Sequence, residues 1–166
     1  MATYIYGASV MKSPTNASNY AADIIGKNSE VFAIGDILTM DGSHGLKVAG
    51  ATDSVIGVSA TLATMSSTNE TVALVKPLYI PVDQDTEFFM GTNSDLSVLT
   101  SPTVYYKLVA GGTGAQQIDV SSGAQTTTNR VVVITKVDPY NLGGSGVGLT
   151  QCLAKFVKVY NVKSNT

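Results

Sequence analysis

Apolar and polar residues alternate along much of this chain with a period of two, the spacing of a β-strand that buries one face. The alternation is clear over Val31–Met40, where Phe32, Ile34, Leu38 and Met40 fall on one side. Other segments alternate in the same way or are rich in β-branched and aromatic residues: Leu46–Ala49, Val55–Leu62, Glu87–Met90, Val104–Val109, Gln117–Val120 and Arg130–Val137. The pattern predicts an all-β chain of short strands.

The segment Thr71–Ile80 also alternates, with Val72, Leu74, Leu78 and Ile80 on one side. Pro77 lies within it and has no N–H to donate to a ladder. The segment is therefore predicted to be an edge strand or a bulged strand.

Turn-forming residues separate these segments, as in Asp41-Gly42, Ser94-Asp95 and the glycine-rich 111–114. Valine occurs 20 times, threonine 19 and isoleucine 9, but glutamate only 3 times. β-branched side chains suit pleated sheets, whereas solvated helix faces need glutamate and lysine. Short, evenly spaced strands favour a small β-barrel or β-sandwich over βαβ units.

The two ends of the chain depart from this pattern. Residues 1–30 are polar with scattered apolar residues and are predicted to form an extended N-terminal arm, followed by a single β domain over residues 31–166. The body is expected to fold without the arm. Near the C-terminus, the β-branched and aromatic run Phe156–Val162 predicts a last strand.

Charge is unusually low, at 13% of residues against about 25% in ordinary domains. The net charge is −2, the only arginine is Arg130, and the nine lysines are scattered, so no nucleic-acid partner is expected. No stretch approaches the about 20 apolar residues of a membrane-spanning helix, so no membrane partner is expected either. Serine, threonine, asparagine and glycine supply the surface, which is common in proteins of a lattice or an oligomer and also in secreted β proteins.

The only histidine, His44, lies in Asp41-Gly42-Ser43-His44-Gly45. A hydrolase triad needs nucleophile, base and carboxylate to converge with support from elsewhere in the fold. Here all three residue types sit within one short turn, and the chain contains no G-x-S-x-G elbow. A hairpin turn is therefore predicted, and no catalytic residue is assigned.

Two other motifs suggest a cofactor only weakly. Asp83, Asp85 and Glu87 are spaced like the start of a calcium loop, but Phe88 and Ser94 occupy the positions that require glycine and glutamate. An acidic turn between two strands is predicted, with a weak calcium site across subunits left open. The glycines of 144–148 match neither a dinucleotide nor a Walker loop. No cofactor or metal is expected.

Tyrosine occurs 8 times and tryptophan not at all. A tyrosine ring suits a contact in which the ring is buried and the hydroxyl stays wet. Tyr4, Ile5, Tyr6 and Tyr20 of the arm are predicted to be contact residues, whereas Tyr105, Tyr106 and Tyr160 fit ordinary sheet positions.

The segment Val31–Leu62 carries a family resemblance. An apolar strand ends in Gly35-Asp36-Ile37-Leu38, a turn follows, then Lys47-Val48-Ala49 and an Ile56-Gly57-Val58 strand. This pattern resembles the opening of tailed-phage capsid decoration proteins, also called cement or head-stabilising proteins, which share a small barrel known as a β-tulip. The resemblance fits residues 31–62 well and residues up to about 90 loosely.

The resemblance implies a virion structural protein that binds the outer capsid surface, with the major capsid protein as partner and the homotrimer as its oligomer. In some members the N-terminal arm extends a sheet of the capsid protein, and the physics of strand addition agrees. Three alternatives stay open: a fibre or tail-tube module of a virion, a carbohydrate-binding β-sandwich, and an enzyme using His44. The lack of tryptophan weighs against a sugar platform.

Overall fold

The structure is a computed structural model, and it describes residues 9–12 (backbone only), 20–94, 96, 104–110, 116–126, 128–137 and 150–160. Within these residues the fold is all-β, as predicted. The strands are β1 (Ser9–Lys12), β2 (Val31–Phe32), β3 (Ile37–Met40), β4 (Leu46–Val48), β5 (Gly57–Ser59), β6 (Ala63–Thr64), β7 (Tyr79–Pro81), β8 (Glu87–Gly91), β9 (Tyr105–Tyr106), β10 (Leu108–Ala110), β11 (Gln116–Ile118), β12 (Val132–Val137) and β13 (Gln151–Phe156).

Two larger antiparallel sheets organise the body. One has five strands in the order β1-β8-β13-β12-β9, and the other has four in the order β4-β3-β5-β7. Two-stranded ladders, β2 with β6 and β10 with β11, complete the described sheets. None of the sheets within the described ranges closes into a barrel, so the barrel alternative of the prediction is not what the structure shows.

The two larger sheets share one apolar core. Ile37 and Val58 from the four-stranded sheet pack in the same cluster as Phe88, Ile134 and Phe156 from the five-stranded sheet. The rings of Phe88 and Phe156 meet edge to face with centroids 5.2 Å apart. A second, smaller core lies on the β2 and β4 side and contains Phe32, Leu38, Leu46, Ile56, Met65 and Tyr79.

Strand β13 alternates clearly, because every second residue is buried. One of these is Cys152, the single cysteine, which is 0% exposed and whose thiol lies 3.6 Å from the Met90 carbonyl oxygen. Burial raises the pKa of the Cys152 thiol to about 12. The side chain is therefore a neutral, apolar-like part of the core.

A buried glutamine joins β11 to the four-stranded sheet. The Gln116 side-chain oxygen accepts from the Ile37 N–H at 2.6 Å, and its nitrogen donates to the carbonyls of Ile37 at 3.0 Å and Ala49 at 2.6 Å. These bonds satisfy backbone groups at the edge of a ladder, and buried backbone groups need such partners.

The predicted strand Val31–Met40 is wrong in its middle, because two short strands replace it. Gly35 adopts φ +90°, a conformation that favours glycine, and the Asp36 carboxylate accepts from the Ala33 N–H at 2.7 Å. The chain turns here, so Phe32 and Leu38 are buried as predicted while Ile34 is 70% exposed.

The predicted strand Thr71–Ile80 is also wrong over most of its length. Asn69–Ala73 forms a π-helical turn, and only Tyr79–Pro81 pairs as a strand. Val72, Leu74 and Leu78 are exposed rather than on a buried face. The side chain of Asn69 makes this turn possible by bonding to the backbone of Val75, in place of a ladder partner.

The remaining strands lie where the pattern predicts them, with shifted ends. Val55–Leu62 contracts to Gly57–Ser59, Val104–Val109 divides into β9 and β10, and Arg130–Val137 begins at Val132. The last predicted strand is the exception, because Phe156–Val162 shares only Phe156 with β13 (Gln151–Phe156) and its prediction is wrong over the rest of its described length. Beyond β13, Val159 forms a single bridge to Val55. Residues 161–166 lie outside the described ranges.

The described part of the predicted arm pairs with strands of the same chain. β1 pairs with β8, and Ala21 exchanges both backbone bonds with Tyr79 at 2.8 and 2.9 Å. The Leu46 N–H donates to the Ile25 carbonyl at 2.8 Å. Residues 20–30 are therefore packed along the second core.

Candidate interaction surface

The His44 segment forms the hairpin turn between β3 and β4, as predicted. Asp41 Oδ1 accepts from the Ser43 N–H at 3.0 Å and the Gly45 N–H at 2.8 Å, which closes the turn. His44 itself adopts φ +69°, a left-handed conformation in which histidine is several-fold enriched relative to most residues. Local hydrogen bonding thus accounts for the Asp-Gly-Ser-His-Gly pattern.

The turn does not assemble a nucleophile and base. Ser43 Oγ lies 2.6 Å from Glu70 Oε1 and 2.8 Å from Asp41 Oδ1, so carboxylate oxygens surround the hydroxyl. Burial acts to raise the pKa of Asp41, but hydrogen bonds from Ser43 and Gly45 outweigh it and lower that pKa. Among the described residues, no side chain hydrogen-bonds to the His44 imidazole, and the geometry that a triad requires is not formed there.

Glu70 is the residue in this region that the sequence did not single out. It comes from the π-helical turn and closes a cleft of about 430 Å³ whose other lining residues include Ile24, Met40, His44 and Lys76. Its position depends on the turn at 69–73, which overlaps the start of the segment Thr71–Ile80 that the alternation pattern assigns to a strand.

The acidic segment after β7 is the predicted turn between two strands. Asp83 Oδ1 accepts from the N–H groups of Asp85 at 2.9 Å and Thr86 at 2.7 Å, and from the Thr86 hydroxyl at 2.8 Å. Burial opposes the shift, but these bonds lower the pKa of Asp83. Within the ranges that the structure describes, no group of three or more histidine, cysteine, aspartate or glutamate residues is placed to hold a metal ion.

The predicted contact residues Tyr4, Ile5 and Tyr6 lie outside the described residues, as do the glycines of 144–148. Tyr20 is described and is 57% exposed. It immediately precedes Ala21, which pairs with Tyr79 at the edge of the four-stranded sheet.

Tyr20 belongs to a larger set of exposed apolar side chains, which we call the apolar surface. Several of its members directly precede residues that pack in or against the second core, as Val31 precedes Phe32 and Leu78 precedes Tyr79. Within the described part of the chain, every member lies between residues 20 and 78. Its members are Tyr20, Val31, Ile34, Leu62, Val72, Leu74, Val75 and Leu78.

Hydrogen bonds hold neighbouring parts of this surface together. The Thr61 hydroxyl accepts from the Leu78 N–H at 2.7 Å and lies 3.1 Å from the Leu78 carbonyl oxygen, which places Thr61, the residue before Leu62, beside Leu78. Leu62 is 77% exposed, the largest value among the apolar residues of the surface. Scattered single apolar residues are normal on a protein surface, whereas a grouped set marks an interaction site.

The turn at residues 72–75 contributes three members of the apolar surface in one stretch, and hydrogen bonds hold it in place. The fully buried Asn69 donates to the carbonyls of Gly26 at 2.6 Å and Val75 at 3.0 Å, and accepts from the Val75 N–H at 2.9 Å. Glu70 and Asn28 bond reciprocally, each side chain accepting from the other's N–H, at 2.8 and 3.1 Å. The turn is therefore fixed to residues 26–28.

Leu74 adopts φ +54°, the left-handed region that disfavours a leucine. Its N–H donates to the Asn69 carbonyl at 2.8 Å, which closes the π-helical turn. Backbone strain of this kind persists only where surrounding structure enforces it, and it clusters at functional positions. A strained residue that is 50% exposed contributes little to the core. The strain at Leu74 therefore goes together with the exposure of the apolar side chains at 72–75.

Comparison with known proteins identifies no relative: no protein-family model, no curated protein and no solved structure matches this chain. Among the described residues, no helix has the length and apolar character that crossing a membrane requires.

Proposed function

We propose that this chain is a virion structural protein that binds the outer surface of an assembled phage capsid and bridges subunits of the major capsid protein as a homotrimer. The observation that carries the proposal is the apolar surface, a set of eight apolar side chains that are 39% to 77% exposed. Hydrogen bonds of Asn69 and Glu70 hold the part of it at residues 72–75. The low charge of the chain and the resemblance of Val31–Leu62 to capsid decoration proteins support a phage capsid as the assembly that it binds.

The free energy gained by burying the apolar surface suits a permanent contact in an assembly. Removing apolar area from water gives roughly 25 cal/mol per Å², and a specific contact buries about 800 Å² per partner. Rigid side chains lose less conformational entropy on binding than mobile ones do. Several such contacts around one trimer act together, because each bound contact raises the effective concentration of the next.

The segment that carries the resemblance also supplies part of the apolar surface. Residues 31–62 fold into β2 to β5 with their turns, and they expose Val31, Ile34 and Leu62. Ile34 is exposed because of the turn at Gly35-Asp36, so the residues of the family-like pattern place this side chain on the surface.

The test is binding to matured capsids that lack this protein. The purified chain is mixed with such capsids at micromolar concentration, and co-sedimentation is measured together with the sedimentation coefficient of the free protein. We expect saturable binding at hundreds of copies per particle and a trimer in solution or on the shell. Absence from the capsid pellet at these concentrations would overturn the proposal, and a few copies per particle would favour a fibre or tail module.

The apolar surface is tested by changing side chains that are already exposed. The double variant I34T/L62T removes two aliphatic side chains that are 70% and 77% exposed, so the fold is expected to persist. Capsid binding is expected to fall at least tenfold, because interface energy concentrates in a few apolar anchors. The control is Thr135→Ser, an exposed change on β12, which lies outside the apolar surface. Unchanged binding by a folded I34T/L62T protein would contradict the role given to this surface.

A further inference from the structure

A second cleft, of about 520 Å³, opens next to the end of β13 and shares no residue with the apolar surface. It is lined by Tyr105, Thr128, Arg130, Val157 and Lys158. We propose that this cleft, the Arg130 cleft, binds a side-chain or terminal carboxylate of an acidic peptide segment. The inference does not rest on the proposed function, because it uses different residues and a different kind of contact.

Arg130 is placed as a carboxylate ligand requires. Its Cζ atom lies over the Tyr105 ring, 4.5 Å from the ring centroid. A cation–π contact of this kind holds the guanidinium in place without neutralising its charge. A planar fork of N–H donors matches the two oxygens of a carboxylate.

Lys158 is the second cation of the cleft, and it is held in place by neutral acceptors. Its Nζ donates to the Thr52 carbonyl at 2.5 Å and is 3.3 Å from the Thr128 carbonyl oxygen. An ammonium has three N–H groups, so these two bonds leave one for a ligand. Carbonyl oxygens orient the ammonium but do not neutralise its charge.

Both cations lack a carboxylate partner within the residues that the structure describes, in contrast to three other lysines. Lys27, Lys47 and Lys107 each lie within 4.0 Å of an aspartate oxygen, at 3.5, 3.7 and 3.5 Å. In a chain with few charges, the only arginine and a fixed lysine therefore meet in one cleft without an acid. The cleft is complementary to an anion that comes from outside these residues.

The chemistry of the walls favours a carboxylate on a peptide over a sugar or a nucleic acid. A sugar would stack on an open aromatic face, but the Tyr105 face carries Arg130. A nucleic acid needs many phosphate contacts spread along a basic track, and the cleft offers two cations. Val157 and the Tyr105 ring supply apolar contact for the stem of a glutamate or a terminal side chain. The volume lies within the about 300–1,000 Å³ of ordinary ligand pockets.

The experiment titrates the full-length, isotope-labelled protein with short peptides and follows backbone amide resonances. The probe is acetyl-Ala-Glu-Glu-Ala-amide, the matched control is acetyl-Ala-Gln-Gln-Ala-amide, and inorganic phosphate is a third arm. We expect saturable shifts at residues of the cleft with the glutamate peptide, weakening as salt is added. The glutamine peptide is expected to cause none, and phosphate is expected to bind more weakly than the glutamate peptide.

Variants assign the binding to the two cations. Arg130→Gln is expected to weaken the glutamate peptide about fivefold, the size of a partly exposed ion pair, and Arg130→Lys to weaken it less. Lys158→Met tests the second cation if Arg130→Gln disturbs the spectrum elsewhere. Lys136→Gln, an exposed lysine on β12 outside the cleft, is the control and is expected to leave binding unchanged.

Four results would overturn the proposal. These are no saturable shifts with the glutamate peptide, equal shifts with the glutamine peptide, tighter binding of phosphate than of the peptide, and unaltered binding in folded variants of both Arg130 and Lys158.

Discussion

Asn69 shows how one side chain decides the course of the backbone. It is 0% exposed, and its amide bonds to Gly26 and to both backbone groups of Val75. A buried amide with every bond made is stable, whereas its removal leaves backbone groups without partners in a dry environment.

We therefore expect Asn69→Ala to lower the free energy of unfolding by about 3 kcal/mol, since it leaves buried backbone groups unsatisfied. The measurement is urea unfolding followed by circular dichroism. Asn129→Ala is the matched control, because its side chain makes no hydrogen bond within the described residues, and a change below about 0.5 kcal/mol is expected. Equal losses in the two variants would show that the Asn69 amide has no special role.

Asp119 is the most heavily bonded carboxylate of the described residues. Burial acts to raise its pKa, but hydrogen bonds from Ser122, Asn93 and Ser121 outweigh it and hold the pKa of Asp119 far below its usual range. Lys107 Nζ also lies 3.5 Å from Asp119 Oδ2. The ionised form is favoured in the folded chain, so the bonds stabilise the fold wherever this carboxylate is charged.

The sign of the pH dependence follows. The unfolded state binds the proton more tightly, so the contribution of Asp119 is complete above the ordinary aspartate pKa of about 3.9 and is lost as pH falls towards the lower folded pKa. We expect Asp119→Asn to cost about 2 kcal/mol at pH 7, and this difference from the wild type to shrink below pH 4.

Unfolding in urea at several pH values between 2 and 7 measures the Asp119 effect. Asp85→Asn is the control, because Asp85 is exposed and its carboxylate accepts no hydrogen bond from the described residues. A wild-type to Asp119→Asn difference that stays constant down to pH 2 would contradict the assignment.

At the scale of elements, the π-helical turn and the residue after it are the least conventional part of the chain. Leu74 and Val75 are exposed to similar extents, at 50% and 49%, but only Leu74 has a positive φ. The two positions therefore differ in backbone strain more than in burial.

Glycine tolerates the left-handed conformation, so Leu74→Gly relieves strain that Val75→Gly does not. We expect Leu74→Gly to be less destabilising than Val75→Gly by about 1 kcal/mol. Thermal unfolding of the two variants beside the wild type measures the difference. Equal stability of both variants would show that Leu74 is unstrained in solution.

The alternation pattern predicted most strands because each of them buries one face. It placed Glu87–Met90 within one residue of β8, and the hairpin at Asp41–Gly45 followed from turn chemistry. The alternation pattern gave a wrong prediction for Thr71–Ile80, because apolar residues at every second position do not show whether other residues pack over that face. Asn69 decides that segment through bonds to Gly26 and Val75, partners 43 and 6 residues away, and such pairs are not visible in a linear pattern.

The sites depended on the same long-range pairings. Ile34, Val72, Leu74 and Leu78 fell on the apolar faces of predicted strands, because the sequence does not show what packs above a strand. Tyr20, by contrast, was predicted as a contact residue. The Arg130 cleft brings Arg130 and Tyr105 together with Lys158, which only the pairing of β12 with β9 and β13 achieves. The indication of this cleft in the sequence was that Arg130 is the only arginine of the chain.

At the scale of the whole molecule, residues 20–30 complete the body. The Tyr79 hydroxyl donates to Asp23 at 2.7 Å, Ala21 pairs with Tyr79, and the Met65 N–H donates to the Glu30 carbonyl at 2.8 Å. These contacts argue against the expectation that the body folds unaided by residues 1–30.

We expect deletion of residues 1–30 to lower the urea midpoint strongly or to abolish cooperative unfolding, because it uncovers the second core and the buried Tyr79. Asp23→Ala in the full chain serves as the comparison, since it removes only the bond to the Tyr79 hydroxyl and should cost about 1 kcal/mol. A truncated protein with wild-type stability would show that residues 20–30 are dispensable.

Alkylation of the lone thiol in the shared core measures how often that core opens. Cys152 sits on the central strand of the five-stranded sheet, shielded and protonated, so an alkylating reagent can reach it only when that sheet separates. The rate at which the free chain becomes alkylated therefore counts those openings directly, with no label introduced, and a partner that clamps the body would slow it.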